Sequence, residues 1–300
     1  MSTPELPAPT RRVLALPWGQ VSLMEWEPTG TPRTTVVLLH GGGYDSAELS
    51  WGAMGGQLAR AGYRVIAPDA PGYGESPVAD WPMTQERLVE FGGEVIDTLG
   101  LQRYVVGGLS MGGGMTLGHV LERPDGIQGV ILLGSYGLAD SVFAAPFRVP
   151  GQLLSWAVVT SGLMGVSVRT MVRYPFLVRR AMKSLLRNPA QRTPALERQI
   201  LAEGGRGTSI AAFRQWQRSE VLPTRLRTTY TGRLAAIQVP TLLIHGEGDA
   251  AVPLVAVREA AEQFPDGRLM VVSGAGHWVQ RDHPELVIPA VLEYLDAVLA

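Results

Sequence analysis

There is no cysteine among the 300 residues, so disulfides, thiolate metal sites and a cysteine nucleophile are all excluded. An excess of one charge is lacking too: 26 Lys and Arg stand against 27 Asp and Glu. A chain so balanced shows no electrostatic footprint of a nucleic-acid binder, and no nucleic-acid partner is expected. The five histidines show neither H-x-x-x-H nor H-x-H spacing, which leaves no metal motif. No metal and no cofactor are expected. Met1 to Thr10 is polar and Pro-rich with no apolar segment, giving no secretory signal and pointing to the cytoplasm. A long hydrophobic run is absent as well. Val149 to Val168 carries no charge, but Pro150, Gln152, Ser155, Thr160, Gly162 and Gly165 dilute it, and a span there would separate elements that must share one sheet. It is expected to form a buried helix lining a pocket.

What is present is a rhythm. Thr35–Leu39, Tyr63–Ala67, Tyr104–Gly107 and Ile127–Leu133 are short apolar runs without alternation, as parallel strands covered on both faces should be. Val13–Leu16 and Gln20–Trp26 flank Pro17-Trp18-Gly19 and predict a hairpin or meander. Helical patterns at Leu49–Ala61, Thr84–Leu99 and Met111–Glu122 fall between these strands, with Thr84 as N-cap and Gly100 as stop. The alternation resumes at strand Thr241–His245, helix Leu254–Phe264, strand Arg268–Val272 and helix Pro284–Leu299. Between Leu138 and Ala235 it breaks, leaving helical patches at Gln152–Ser161, Tyr174–Leu186, Pro194–Ala202 and Ile210–Arg218. An α/β fold is therefore predicted, a mostly parallel sheet with helices on both faces, whose core spans 1–137 and 236–300 and carries a helical cap over 138–235.

The chemistry concentrates at Gly108-Leu109-Ser110-Met111-Gly112. This G-x-S-x-G pattern sits between a predicted strand and a predicted helix, where a sharp turn lifts the serine hydroxyl above the sheet. The residues two before and two after the serine crowd each other, which is why both are glycine. A serine hydroxyl needs an adjacent base, held in turn by an acid. Asp249 and His277 lie just past later predicted strands, in His245-Gly246-Glu247-Gly248-Asp249 and Gly274-Ala275-Gly276-His277-Trp278. The carboxyl ends of strands are where open α/β sheets place ligand sites. Glu247, two residues from Asp249, and Asp140, after an earlier strand, stand as competing acids.

On these residues the chain resembles the α/β-hydrolase family across nearly all its length outside the cap. The resemblance implies Ser110 as nucleophile, His277 as general base and then acid, and Asp249 as the orienting carboxylate. His40-Gly41-Gly42-Gly43 looks like the family's oxyanion loop, implying the N–H groups of Gly42 and Met111 as oxyanion donors. Asp69-x-Pro71-Gly72-Tyr73-Gly74-x-Ser76 matches a structural turn of the family and carries no chemistry. His40 is expected to shape its loop, His119 to be packed or at the surface, and His245 and His283 to be structural. A serine here argues against the dehalogenase and epoxide-hydrolase branches, which use Asp. The leading expectation is a carboxylesterase acting on a small or medium ester through an acyl-enzyme. Thioesterases, carbon–carbon bond hydrolases of aromatic meta-cleavage products and cofactor-free perhydrolases share these residues. A ligand receptor on a retained hydrolase scaffold is the alternative from another class.

The cap should build the substrate pocket. Trp156, Val158, Val159, Leu163, Met164 and Trp216 are apolar with helical spacing and no local core, and some should face the space above Ser110. Fifteen Arg and Lys against four Asp and Glu between Leu138 and Ala235 give this segment a net +11. Such a field is either a solvated face or a device drawing anionic substrates or an anionic lipid surface towards the cleft.

Overall fold

The structure is a computed structural model and describes residues 6–162 and 174–300. Eight strands form one sheet: β1 (Thr10–Leu16), β2 (Gly19–Trp26), β3 (Thr35–Leu39), β4 (Arg64–Pro68), β5 (Tyr104–Leu109), β6 (Ile127–Leu133), β7 (Thr241–Gly246) and β8 (Gly267–Val272). Their spatial order is β1-β2-β4-β3-β5-β6-β7-β8. The first two pairings are antiparallel, β1 with β2 and β2 with β4, and all the others are parallel. Burial follows position. β3 and β5 are buried at every residue, whereas the edge strand β1 is largely exposed and β8, at the other edge, is mostly half-buried. Arg11 and Arg12 on β1 place charge on an edge that would otherwise invite further pairing.

Helices cover both faces. Of those in the core, α1 (Ala47–Arg60) and α10 (Pro284–Val298) pack one side, where Trp51, Leu58, Val287 and Leu295 are buried with Val36, Val105 and Ile244. On the other side, α2 (Gln85–Thr98), α3 (Met111–Glu122) and α8 (Leu254–Ala261) bury Leu88, Phe91, Leu117 and Val257 against Val37, Val106 and Leu132. The Thr84 side chain accepts from the Arg87 N–H and caps α2, satisfying one of its orphan donors. A one-turn helix, α9 (Val279–Asp282), precedes α10.

Between β6 and β7 the described chain forms α4 (Arg148–Thr160), α5 (Pro175–Leu185), α6 (Pro194–Arg206) and α7 (Thr208–Glu220), and no strand of the sheet. The expectation of a buried, pocket-lining helix over Val149–Val168 is corrected for residues 149–162, while 163–168 lie outside the described residues. On α4 only Gln152 and Val159 are buried, while Leu153, Leu154 and Trp156 are exposed. The helix docks by a polar anchor beside a single buried apolar residue, Val159. The Gln152 carbonyl accepts from Ser141 Oγ and Val142 N at 3.1 and 3.0 Å, and its amide donates to the carbonyls of Leu222 and Arg225 at 2.8 and 3.0 Å. Among the described residues no helix is long and apolar enough to cross a membrane.

Candidate active site

Ser110 sits at φ 52°, ψ −116°, the single non-glycine residue with positive φ among those described. Such a conformation costs of order 1–3 kcal/mol and persists only where the surroundings impose it. Here they do. The Ser110 N–H donates to the Leu133 carbonyl at 2.9 Å, and its own carbonyl accepts from Tyr136 N and Gly114 N at 3.0 and 3.1 Å. The flanking glycines are steric necessities: a Cβ on Gly108 would lie 2.2 Å from the Gly112 carbonyl carbon, and one on Gly112 would lie 2.2 Å from the Leu39 carbonyl oxygen.

His277 Nδ1 and Asp249 Oδ2 are 2.7 Å apart, both side chains buried. With Nδ1–H donating to the carboxylate, Nε2 is the nitrogen left to accept a proton. The other carboxylate oxygen accepts from the N–H groups of Ala251 and Val252 at 2.7 and 3.1 Å. Burial pushes the Asp249 carboxyl up, but the charge and hydrogen bond of His277, with help from His245 and the Ala251 N–H, outweigh it and hold the group below the usual carboxylate value. Gly134, just after β6, leaves room for this pair: a Cβ there would sit 3.2 Å from both Asp249 Oδ2 and His277 Nδ1. The competing acids lie elsewhere. Glu247 is exposed and accepts from Ser273 Oγ and Gly274 N at 2.7 and 3.1 Å. Asp140 is half-exposed and paired with Arg148.

Two neighbours of this pair were not legible as such. His245, expected to be merely structural, is buried at the end of β7 with Nε2 3.7 Å from Asp249 Oδ2 and 3.1 Å from the Val252 carbonyl. Asp282 is fully buried and accepts from the N–H groups of Gly276, Arg187 and Asn188 at 2.6, 2.9 and 2.8 Å. It therefore ties the His277 loop to the end of α5. A signal existed for His245, which lies four residues before Asp249 in the same strand-end motif; Asp282 had none. The remaining histidines match expectation. His40 Nε2 accepts from Ala70 N at 2.9 Å and its Nδ1 donates to the Gly41 carbonyl at 2.7 Å, shaping the loop. His119 is buried against the Tyr104 hydroxyl at 2.8 Å, and His283 pairs with Glu285. Asp69 holds Arg11 and the Ala47 N–H, a structural turn as expected.

Two cavities meet at Ser110. One, of about 250 Å³, is lined by Gly41, Gly42, Gly43, Tyr44, Leu185, His277 and Trp278 as well as Ser110. Gly42 thus faces the same space as the serine and the histidine. Met111 is the first residue of α3, so its N–H has no acceptor within the helix and lies at the positive end of the helix dipole. The second cavity, about 220 Å³, runs from Ser110 past Tyr136 and Val142 beneath α7 to Glu220, Val221 and Leu226. Phe213 and Ala251 border both. The Phe213 ring lies over Gly42, where a Cβ would meet it at 2.3 Å, and stacks on Trp216 at 5.6 Å.

Of the expected pocket residues, Trp216 does border the second cavity; it is 7% exposed, with its indole N–H donating to Gln85 Oε1 at 2.8 Å. Trp156 and Val159 are corrections. Trp156 is 37% exposed on the outer face of α4, Val159 packs into the core, and neither lines either of these two cavities. Val158 borders neither, while Leu163 and Met164 lie outside the described residues. Sequence reading missed Phe213, Glu220 and Tyr136. The first two sit three residues before and four after Trp216, on the same face of α7, and that spacing was the available signal. None of the described cations of the 138–235 segment borders either cavity.

A strained serine at a strand-to-helix turn, with a histidine–carboxylate pair at the ends of later strands of one sheet, is the architecture of a hydrolase. A family model for the alpha/beta hydrolase fold matches residues 34–284. The chain belongs to the α/β-hydrolase family. It is 30% identical over 261 residues, 86% of each chain, to 2-hydroxymuconate semialdehyde hydrolase from Pseudomonas putida. It is 29% identical over 272 residues, 87% of each, to 2-hydroxy-6-oxo-6-phenylhexa-2,4-dienoate hydrolase from Burkholderia cepacia. Among solved structures, a thermophilic esterase from Thermogutta terrifontis superposes with a TM-score of 0.72 at 26% identity, covering 97% of this chain and all of that one.

Proposed function

We propose that this chain is a serine hydrolase that cleaves a bond beside a carbonyl held over Ser110, and that the bond is the carbon–carbon bond of a dienone acid. The observation that carries the hydrolytic reading is the 2.7 Å His277–Asp249 pair sharing a cavity wall with a backbone-strained serine. The two curated relatives support carbon–carbon cleavage and move it ahead of the carboxylesterase expectation. Ser110 Oγ adds to the carbonyl carbon while His277 Nε2 takes its proton, and Asp249 holds the imidazole in the tautomer that can do so. The carbonyl oxygen, now an oxyanion, takes hydrogen bonds from the Gly42 and Met111 N–H groups, each donor worth about 3–4 kcal/mol. Collapse expels the departing group, which receives the proton from His277. For a carbon leaving group this requires a substrate that stabilises it as an enolate. Water, activated by the same histidine, then releases the acyl group.

Ester hydrolysis is the second reading. It is favoured by the wall of the 220 Å³ cavity, which among the described residues offers a carboxyl and no cation to a substrate carboxylate, and by the likeness to a solved esterase. One experiment separates them: kcat/KM for 2-hydroxy-6-oxohexa-2,4-dienoates, followed by loss of dienolate absorbance, beside a series of p-nitrophenyl esters. The dienoate should be the better substrate by more than about tenfold, and both activities should vanish in Ser110→Ala. Turnover of esters alone would establish the second reading, and turnover by Ser110→Ala would refute both.

A further inference from the structure

The cavity beneath α7 is apolar along its walls and polar at its far end. Phe213, Trp216, Val221, Leu226, Val142 and Val252 supply the walls. At the far end Glu220, 1% exposed, has one carboxyl oxygen accepting from the Tyr136 hydroxyl at 2.9 Å and the Thr228 N–H at 3.1 Å, and the other accepting from Ser219 Oγ at 3.3 Å. Among the described residues no Lys, Arg or His side chain bonds to the Glu220 carboxyl, nor does one line this cavity. Beside it Gln217 lines the same cavity, and its side-chain oxygen is buried with no hydrogen-bond partner among the described residues. The polar end lies one tyrosine side chain away from the nucleophile, because Tyr136 N–H bonds to the Ser110 carbonyl while its hydroxyl reaches Glu220.

Buried polar atoms are normally satisfied, and a buried acceptor left alone costs the full desolvation of that group. An amide oxygen without a donor, next to a carboxyl that accepts three, makes an acceptor-rich end with no cation among the described lining residues to neutralise an anion. A ligand that brings an O–H or N–H there supplies the missing bond. A ligand that brings a carboxylate meets two acceptor groups, the Glu220 carboxyl and the Gln217 oxygen, in a low-dielectric space with no cation among the described lining residues. We infer that the 220 Å³ cavity recognises an uncharged or cationic hydrogen-bond donor, such as a hydroxyl or an amine, on the portion of substrate that projects past Tyr136, and rejects a carboxylate there. Gln217 and Glu220 are then the specificity-determining residues of this site. A carboxylate elsewhere on the substrate is directed to the glycine-lined cavity. The inference rests on the reading of Ser110 as nucleophile.

Para-substituted phenylboronic acids test it without presupposing which half of the substrate enters. Ser110 Oγ adds to boron, its proton passes to His277, and the ring projects its para group into whichever cavity suits it. Inhibition constants would be measured for 4-hydroxymethyl-, 4-aminomethyl-, 4-ethyl- and 4-carboxyphenylboronic acid. The wild-type chain should bind the hydroxymethyl compound about tenfold more tightly than its ethyl isostere, the value of one good hydrogen bond to a buried acceptor. The carboxyphenyl compound should be the weakest of the four. Gln217→Leu should erase or invert the hydroxymethyl preference. Glu220→Gln, which keeps an acceptor for Tyr136, should strengthen the carboxyphenyl compound relative to the other three. If all four inhibit equally, or the preference survives in both variants, the inference is overturned while Ser110 stands. If none inhibits, the nucleophile assignment and the inference fall together.

Discussion

The strand ends of the sheet and the helices between β6 and β7 build the two halves of one cleft by different means. On the sheet side each functional group is held through main-chain hydrogen bonds. Ser110 is fixed by three main-chain hydrogen bonds and two glycines that tolerate no Cβ, Asp249 by two N–H donors, and the His277 loop by Asp282. On the helical side the cleft is walled by side chains, Phe213, Trp216, Glu220 and Leu226, placed by packing against one another. The contrast teaches that machinery fixed by backbone tolerates few residue types and so leaves a motif, whereas a wall made by packing accepts any side chain of suitable shape. Substitutions on the two sides should accordingly fail differently.

Beyond removal of the nucleophile itself, the largest effect is expected from Asp249→Asn. It retains the shape but frees the His277 tautomer, and kcat should fall by about 10³–10⁴ with the fold intact. A mild effect, with Asp140→Asn crippling instead, would relocate the acid. Next comes a place where the two sides touch over the oxyanion loop. Gly42→Ala drives a methyl into the Phe213 ring and should cost about a hundredfold in kcat/KM, of the order of losing one oxyanion donor. Combining it with Phe213→Ala should recover part of that loss, since the side chain in the way is gone. Additive losses in the double variant would show that Phe213 does not press on the loop.

A smaller effect concerns stability on the sheet side. Burial lowers the pKa of His119, on the helix that follows Ser110, to about 4 from 6.5. A depressed folded pKa means that the unfolded chain binds the proton more readily, so stability is complete above pH 6.5 and is lost as pH falls towards 4. Between pH 7.5 and pH 5 the loss should be about 2 kcal/mol from this residue, read by urea unfolding, and His119→Gln should flatten that slope. An unchanged slope would mean that His119 is solvated in the folded chain. The smallest effect is expected from Trp156→Ala, which should change kcat/KM by less than about twofold because its ring lies on the outer face of α4. A loss of tenfold or more would restore Trp156 to the pocket.

Legibility in the sequence follows the same division. Helix Met111–Glu122 and strands Thr35–Leu39 and Ile127–Leu133 have the bounds that periodicity predicted, and Thr84 caps α2. These features are local: a capping side chain, a run of β-branched residues, a glycine where a Cβ has no space. The choice of Asp249 over Glu247 was not readable from spacing, because both follow β7, and only the turn of the chain after Gly246 directs one inward and the other to Ser273. Apolarity alone made α4 a pocket helix, yet a single glutamine, bonded to four groups from two separate segments, decides how it docks. Long-range polar anchors of that kind, like Asp282 beneath the His277 loop, leave no periodic trace in the chain.

The most direct measurement is active-site titration with a fluorophosphonate, followed by mass spectrometry of the labelled peptide. One equivalent should abolish turnover and place a single adduct on Ser110, with none formed on Ser110→Ala and slow labelling of Asp249→Asn. Labelling at another residue accompanied by loss of activity, or full activity in a chain labelled at Ser110, would contradict the assignment of the nucleophile.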